Sequence, residues 1–98
     1  MSSKKILVVD DDMICRKAVS NFAKKREITA DSAESGAEAI ELVKNNEYAI
    51  IMIDLFMPGM DGYQTAQQIR GLPNGATPKL VVMSGGKKTF LVVIVIPI

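Results

Sequence analysis

The run Tyr48-Ala49-Ile50-Ile51-Met52-Ile53 is apolar throughout and stops at Asp54. A strand with one wet face alternates apolar and polar side chains, so a run without alternation belongs at the centre of a parallel sheet covered on both faces. Two further runs have this character. Lys4 to Val9 is short and β-branched and ends in Asp10, Asp11 and Asp12; Lys79 to Met83 leads to Ser84. Ile28 to Ala33 is a weaker strand, interrupted by Asp31, and suits an edge. Segments of helical period lie between. Residues 13–25 place Ile14, Ala18 and Phe22 at steps of four, with Cys15 and Val19 alongside, behind Asp11 or Asp12 as the cap. Ser35-Gly36-Ala37-Glu38 reads as a capping box opening a helix that buries Ala39, Ile40 and Val43 and ends near Asn45-Asn46. A loop with Pro58 and Gly59 leads to a third helix from Gly62 through Arg70, followed by a long turn marked by Gly71, Pro73, Gly75 and Pro78. Strands alternating with helices predict an α/β fold with a doubly wound, mainly parallel sheet and right-handed crossovers. Ninety-eight residues without repeats or linkers predict a single domain over 1–98.

Composition excludes several chemistries. The chain has no histidine, so it cannot hold a Ser-His-Asp triad, a His-ligated zinc or a phosphohistidine of its own. Any imidazole must come from a partner. One cysteine, Cys15, cannot close a disulfide within the chain, and no secretory signal precedes the first strand, which predicts a cytoplasmic home. The net charge of +1 gives no counterion-release argument for nucleic acid. That small balance hides segregation: residues 31–62 hold one basic and seven acidic residues, while residues 63–98 hold four basic and none acidic. The apolar stretch Phe90 to Ile96 is seven residues, far short of the roughly 18 to 20 that cross a bilayer, and reads as a strand.

In parallel sheets of this kind functional groups collect at the carboxyl ends of the strands. Asp10 and Asp11, Asp54, and Ser84 stand there. Carboxylates brought together repel by about 1 to 4 kcal/mol per pair at 4 Å, depending on the effective dielectric. A hard divalent cation offsets that repulsion, and Mg²⁺ suits two or three carboxylates in a site that then binds a phosphoryl group. One carboxylate could then attack phosphorus, with Ser84 donating a hydrogen bond. Asp10, Asp11 and Asp12 alone are as compatible with a helix cap plus a solvated turn as with a functional site. Asp54, ending a six-residue apolar run, has few structural uses.

The segments ILVVDDD (6–12), IIMIDLFMPGMDGYQTAQQIR (50–70) and LVVMSG (80–85) resemble the receiver domain of two-component response regulators, the CheY-like type, in register over residues 4–85. The resemblance implies a flavodoxin-like strand order 2-1-3-4-5 and a phosphoacceptor at Asp54. It implies Mg²⁺ held by Asp10, Asp11, Asp54 and the backbone carbonyl of Phe56, with a phosphoryl contact from Ser84. The donor would be a phosphohistidine on a sensor histidine kinase or a histidine phosphotransfer protein, which fits the absent histidine. A second expectation is a non-switching pseudo-receiver acting as an interaction or dimerisation module. A third, a phosphatase of the haloacid-dehalogenase type with Asp10 as nucleophile and Asp12 as acid, is disfavoured by chain length and by the match around Asp54. The expectation is therefore a phosphoacceptor and not an enzyme.

After Gly85 the chain departs from the family pattern, in which a fourth helix, a fifth parallel strand ending in Lys-Pro and a final helix follow. Here Ile96 precedes Pro97 where the lysine should stand, Val93 replaces the usual switch aromatic, and the fourth and fifth helices are missing. Only five residues separate Ser84 from Phe90, whereas a parallel crossover needs a dozen or so, so the last two strands are expected to form an antiparallel hairpin through Gly85-Gly86. Lys87 or Lys88 would then begin the last strand and could substitute for the missing cation. The uniformly apolar run 91–96 needs cover on both faces, which predicts a homodimer or a strand-exchanged assembly through residues 90–98.

Overall fold

The computed structural model describes residues 5–83 and the backbone of 93–96. In chain order the elements are β1 (Lys5–Val9), α1 (Met13–Lys25), β2 (Thr29–Ala33), α2 (Gly36–Asn45), β3 (Ile50–Asp54), α3 (Gly62–Arg70), a 3-10 turn (Pro73–Gly75), β4 (Lys79–Met83) and β5 (Val93–Ile96). The sheet order is β2-β1-β3-β4-β5, with the first four strands parallel. β5 lies antiparallel to β4, with Leu80 opposite Ile96 and Met83 opposite Val93. The segment joining them, including the expected Gly85-Gly86 turn, lies outside the described residues, as do residues 90–92 and 97–98 of the stretch expected to associate.

Why the helices sit where they do follows from the crossovers. The chain moves one way along the sheet from β1 to β2 and the other way from β2 to β3, so right-handed connections put α1 on one face and α2 and α3 on the other. On the α2/α3 face the packing is dense. Leu7, Val9, Ile51, Ile53 and Leu80 interdigitate with Ala39, Val43, Ala66 and Ile69, all 0–1% exposed. The α1 face is covered less completely. Ile50, on the central strand, is 36% exposed, so the expected burial of that strand on both faces holds for one face only.

The stripe read for α1 also needs correction. Ile14 and Phe22 face solvent, and Ala23 is the fully buried side chain of this helix. The helix lies over β2 and β1 at the edge of the sheet, where the small Ala23 allows close approach. Phe22 turns outward, with the Arg26 guanidinium 3.9 Å from its ring centroid. At this same edge of the sheet, Tyr48 Oη donates to Asp31 Oδ2 at 2.7 Å and Lys5 Nζ stands 3.3 Å from the same oxygen, which ties edge strand β2 to the start of β3. Burial, with the Asp31 hydrogen bond and charge adding, raises the Tyr48 hydroxyl pKa, so this tie persists through neutral pH. No helix among the described residues is long and apolar enough to cross a membrane.

Candidate functional site

Strand register builds the site. Val9 pairs with Ile53, so the chain leaves β1 at Asp10 beside the point where β3 ends in Asp54. Carboxylate oxygens of Asp10, Asp11 and Asp54 lie within 4.8 Å of one another. Asp10 is buried, at 5% exposure, Asp54 is half-buried and Asp11 is exposed, so the cluster opens to solvent on one side.

Asp10 and Asp54 are held by backbone. The Asp10 amide donates to Ala33 O at 3.0 Å, and Asp10 Oδ1 accepts from the Asp12 amide at 2.9 Å. Asp54 Oδ1 accepts from the Phe56 amide at 3.1 Å. α3 closes against the end of β3, where the Gly62 amide donates to Leu55 O at 3.0 Å. Asp61 caps that helix in a complete capping box with Gln64.

The electrostatics are unfavourable for three bare carboxylates. Burial raises the Asp54 pKa, the Phe56 amide opposes that rise, and the negative charges of Asp10 and Asp11 add to it. Among the described residues no ion pair reaches any of the three. A set of oxygen donors crowded at a strand end, with no ion pair to them among the described residues, fits a hard cation such as Mg²⁺. The Cys15 thiol lies at the border, 3.7 Å from Asp12 Oδ2. Its pKa is pushed up to about 11 by desolvation and by the charges of Asp10 and Asp12, so it remains a thiol at neutral pH.

Asp12 stands apart from this cluster. Its Oδ1 accepts from the Ile14 amide at 2.9 Å, which makes it the N-cap of α1 and resolves the choice between Asp11 and Asp12. A phosphatase with Asp12 as its acid would need that carboxyl free. The box at Ser35 is only half formed: Ser35 Oγ caps the Glu38 amide, but Glu38 Oε1 reaches the Glu34 amide. The Phe56 side chain is exposed, and Met13 and Ile14 are exposed at the start of α1, so large apolar side chains lie within a few residues of the acids on both segments. Ser84, Lys87 and Lys88 lie outside the described residues. A contact that pattern reasoning did not single out is Arg16 Nη1 donating to Asp10 O at 2.7 Å.

A doubly wound sheet with an acidic cluster at the carboxyl ends of its first and third strands places the candidate site where α/β proteins of this architecture bind ligands. Comparison with known proteins is more specific. The family model of the response regulator receiver domain matches residues 6–97, and the chain belongs to this family, the receiver domains of two-component systems. The transcriptional regulatory protein SrrA of Staphylococcus aureus is 34% identical over 87 residues, which is 89% of this chain and 35% of SrrA. The chain thus spans about a third of the length of that curated relative. A response regulator receiver protein from Pseudomonas putida superposes with a TM-score of 0.80 at 27% identity, over 90% of this chain and 73% of its own. The receiver domain of sensor histidine kinase PA1611 from Pseudomonas aeruginosa, solved with a magnesium ion coordinated in its active site cleft, has the same fold. Its TM-score is 0.79 at 19% identity, covering 90% of this chain and 72% of that one.

Proposed function

We propose that this chain is a phosphoacceptor in which Asp54 takes a phosphoryl group from a phosphohistidine on a sensor histidine kinase or histidine phosphotransfer protein. The observation that carries this reading is the convergence of Asp10, Asp11 and Asp54 at the carboxyl edge of the sheet. An Asp54 carboxylate oxygen forms the new bond to phosphorus as the phosphorus–nitrogen bond breaks, and the donor imidazole leaves with the electron pair. The raised pKa of Asp54 describes a carboxylate more basic than an exposed aspartate. Asp10, Asp11 and the Phe56 backbone carbonyl, with Asp54, would hold Mg²⁺. When bound, Mg²⁺ neutralises charge on the phosphoryl oxygens. Ser84 would donate to the phosphoryl group, and Lys87 or Lys88 would supply a second cation. The exposed Met13, Ile14 and Phe56 offer apolar contact to a protein donor around the acids.

Beryllofluoride, a phosphoryl analogue that bonds to carboxylates, tests this reading by ¹⁹F NMR. A bound signal is expected with Mg²⁺, none in chelator, and none in Asp54→Asn. A bound signal that survives in Asp54→Asn overturns the assignment, and no signal in the parent protein favours an interaction module that does not accept phosphoryl groups.

A further inference from the structure

We infer that Arg16 is a positioning residue for the acidic pocket, setting the relative direction of Asp10 and Asp11 through the peptide that joins them. The inference rests on the phosphoacceptor reading and adds a residue to it. Asp10 is the first residue beyond β1, and it is tied at three points. Its amide donates to Ala33 O and its side chain accepts from the Asp12 amide, both already described. The third tie is its carbonyl, which accepts from Arg16 Nη1 at 2.7 Å.

That carbonyl lies in the same rigid plane as the Asp11 amide, because the peptide unit is planar. Turning the plane would swing the Asp11 Cα–Cβ bond while Asp10 stays fixed by its other two ties. The Arg16 bond therefore bears on the angle between the two carboxylates more than on the position of either alone. It is charge-assisted and short, and it bonds to the backbone of a residue only 5% exposed. The simpler alternative is a helix-surface arginine whose head is solvated. Against this, Arg16 is half-buried and its guanidinium folds back across the first turn of α1 onto the end of β1.

Arg16→Met keeps an unbranched stem and removes the donor; Arg16→Lys restores a cation with less reach. Mg²⁺ affinity of the full chain is measured by calorimetry, and exchange of the Asp12 amide is followed by NMR in chelator. Arg16→Met is expected to weaken Mg²⁺ binding about tenfold, within the range for groups that orient metal ligands, and to speed Asp12 amide exchange in the metal-free protein. Arg16→Lys is expected to recover part of the affinity. If Arg16→Met does not fold, Arg16→Gln takes its place under the same criteria. Mg²⁺ affinity within about twofold of the parent, whatever happens to unfolding stability, would show a merely structural role and overturn the inference. A parent protein that binds no Mg²⁺ sinks the phosphoacceptor reading itself and the inference with it, so the two failures are told apart by the parent titration.

Discussion

Asp54→Asn is expected to make the metal-free protein more stable at neutral pH. The sign follows from the raised pKa of Asp54, caused first by burial and then by the charges of Asp10 and Asp11. A carboxyl whose pKa is higher folded than unfolded holds its proton more tightly in the folded state. Stability is then greatest where Asp54 is protonated, falls as pH rises from the ordinary aspartate range through the raised folded value, and levels off above it. Asn keeps the shape, retains an oxygen for the Phe56 amide and carries no charge. Relief of repulsion of about 1 kcal/mol corresponds to about 4 to 8 °C in melting temperature for a domain of this size. Thermal unfolding in chelator at pH 7 should show that gain, and it should shrink at acid pH. Mg²⁺ should stabilise the parent more than the variant. A variant less stable than the parent in chelator at pH 7 would contradict the electrostatic account of the site.

A large loss of structure is expected from Gly62→Ala. A Cβ at Gly62 would overlap the Asp54 carbonyl oxygen and stand 2.7 Å from Leu55 Cα and 2.8 Å from the Asp54 carbonyl carbon. These are backbone atoms at the end of the central strand and cannot rotate away. α3 must therefore lift from β3, which breaks the bond from the Gly62 amide to Leu55 O and shifts Asp54 from its neighbours. Overpacking of this kind costs about 3 kcal/mol, a large part of the stability of a small domain. The control is Gly71→Ala, where the new Cβ would meet its nearest atom, Gln68 O, at 3.5 Å, an ordinary contact. Urea unfolding should separate the two variants clearly, and Mg²⁺ binding should weaken in Gly62→Ala alone. Equal stability of both would mean that the close approach of α3 to Asp54 is not needed.

The parts of this structure legible from sequence are those where one physical signal acts alone. The run from Tyr48 to Ile53 has no polar interruption, and an aspartate after it can only mark the strand's end; the register Val9 to Ile53 then brings Asp10 beside Asp54 without further information. α1 was harder because it carries two competing stripes. Ile14, Ala18 and Phe22 recur at steps of four, but so do Cys15 and Val19, followed by Ala23, and hydrophobicity ranks the bulkier set first. Packing against β2 and β1 buries the smaller residue, a tertiary effect that periodicity does not contain. Arg16 was invisible for another reason: a long polar side chain in a helix has no preferred partner in sequence, and its contact with Asp10 O exists only once the β1–α1 turn has folded. The half-formed box at Ser35 is similar, since Glu38 had two amides within reach and took that of Glu34.

The central claim is that Asp54 is the acceptor of a phosphoryl group in a cation-dependent site. Intact-mass measurement after incubation with acetyl phosphate, with peptide mapping of the product, tests it most directly. With Mg²⁺ the protein should gain one phosphoryl group, located on Asp54, and with chelator it should gain none. Labelling at another residue, or labelling of Asp54→Asn to the same extent as the parent, would contradict the claim.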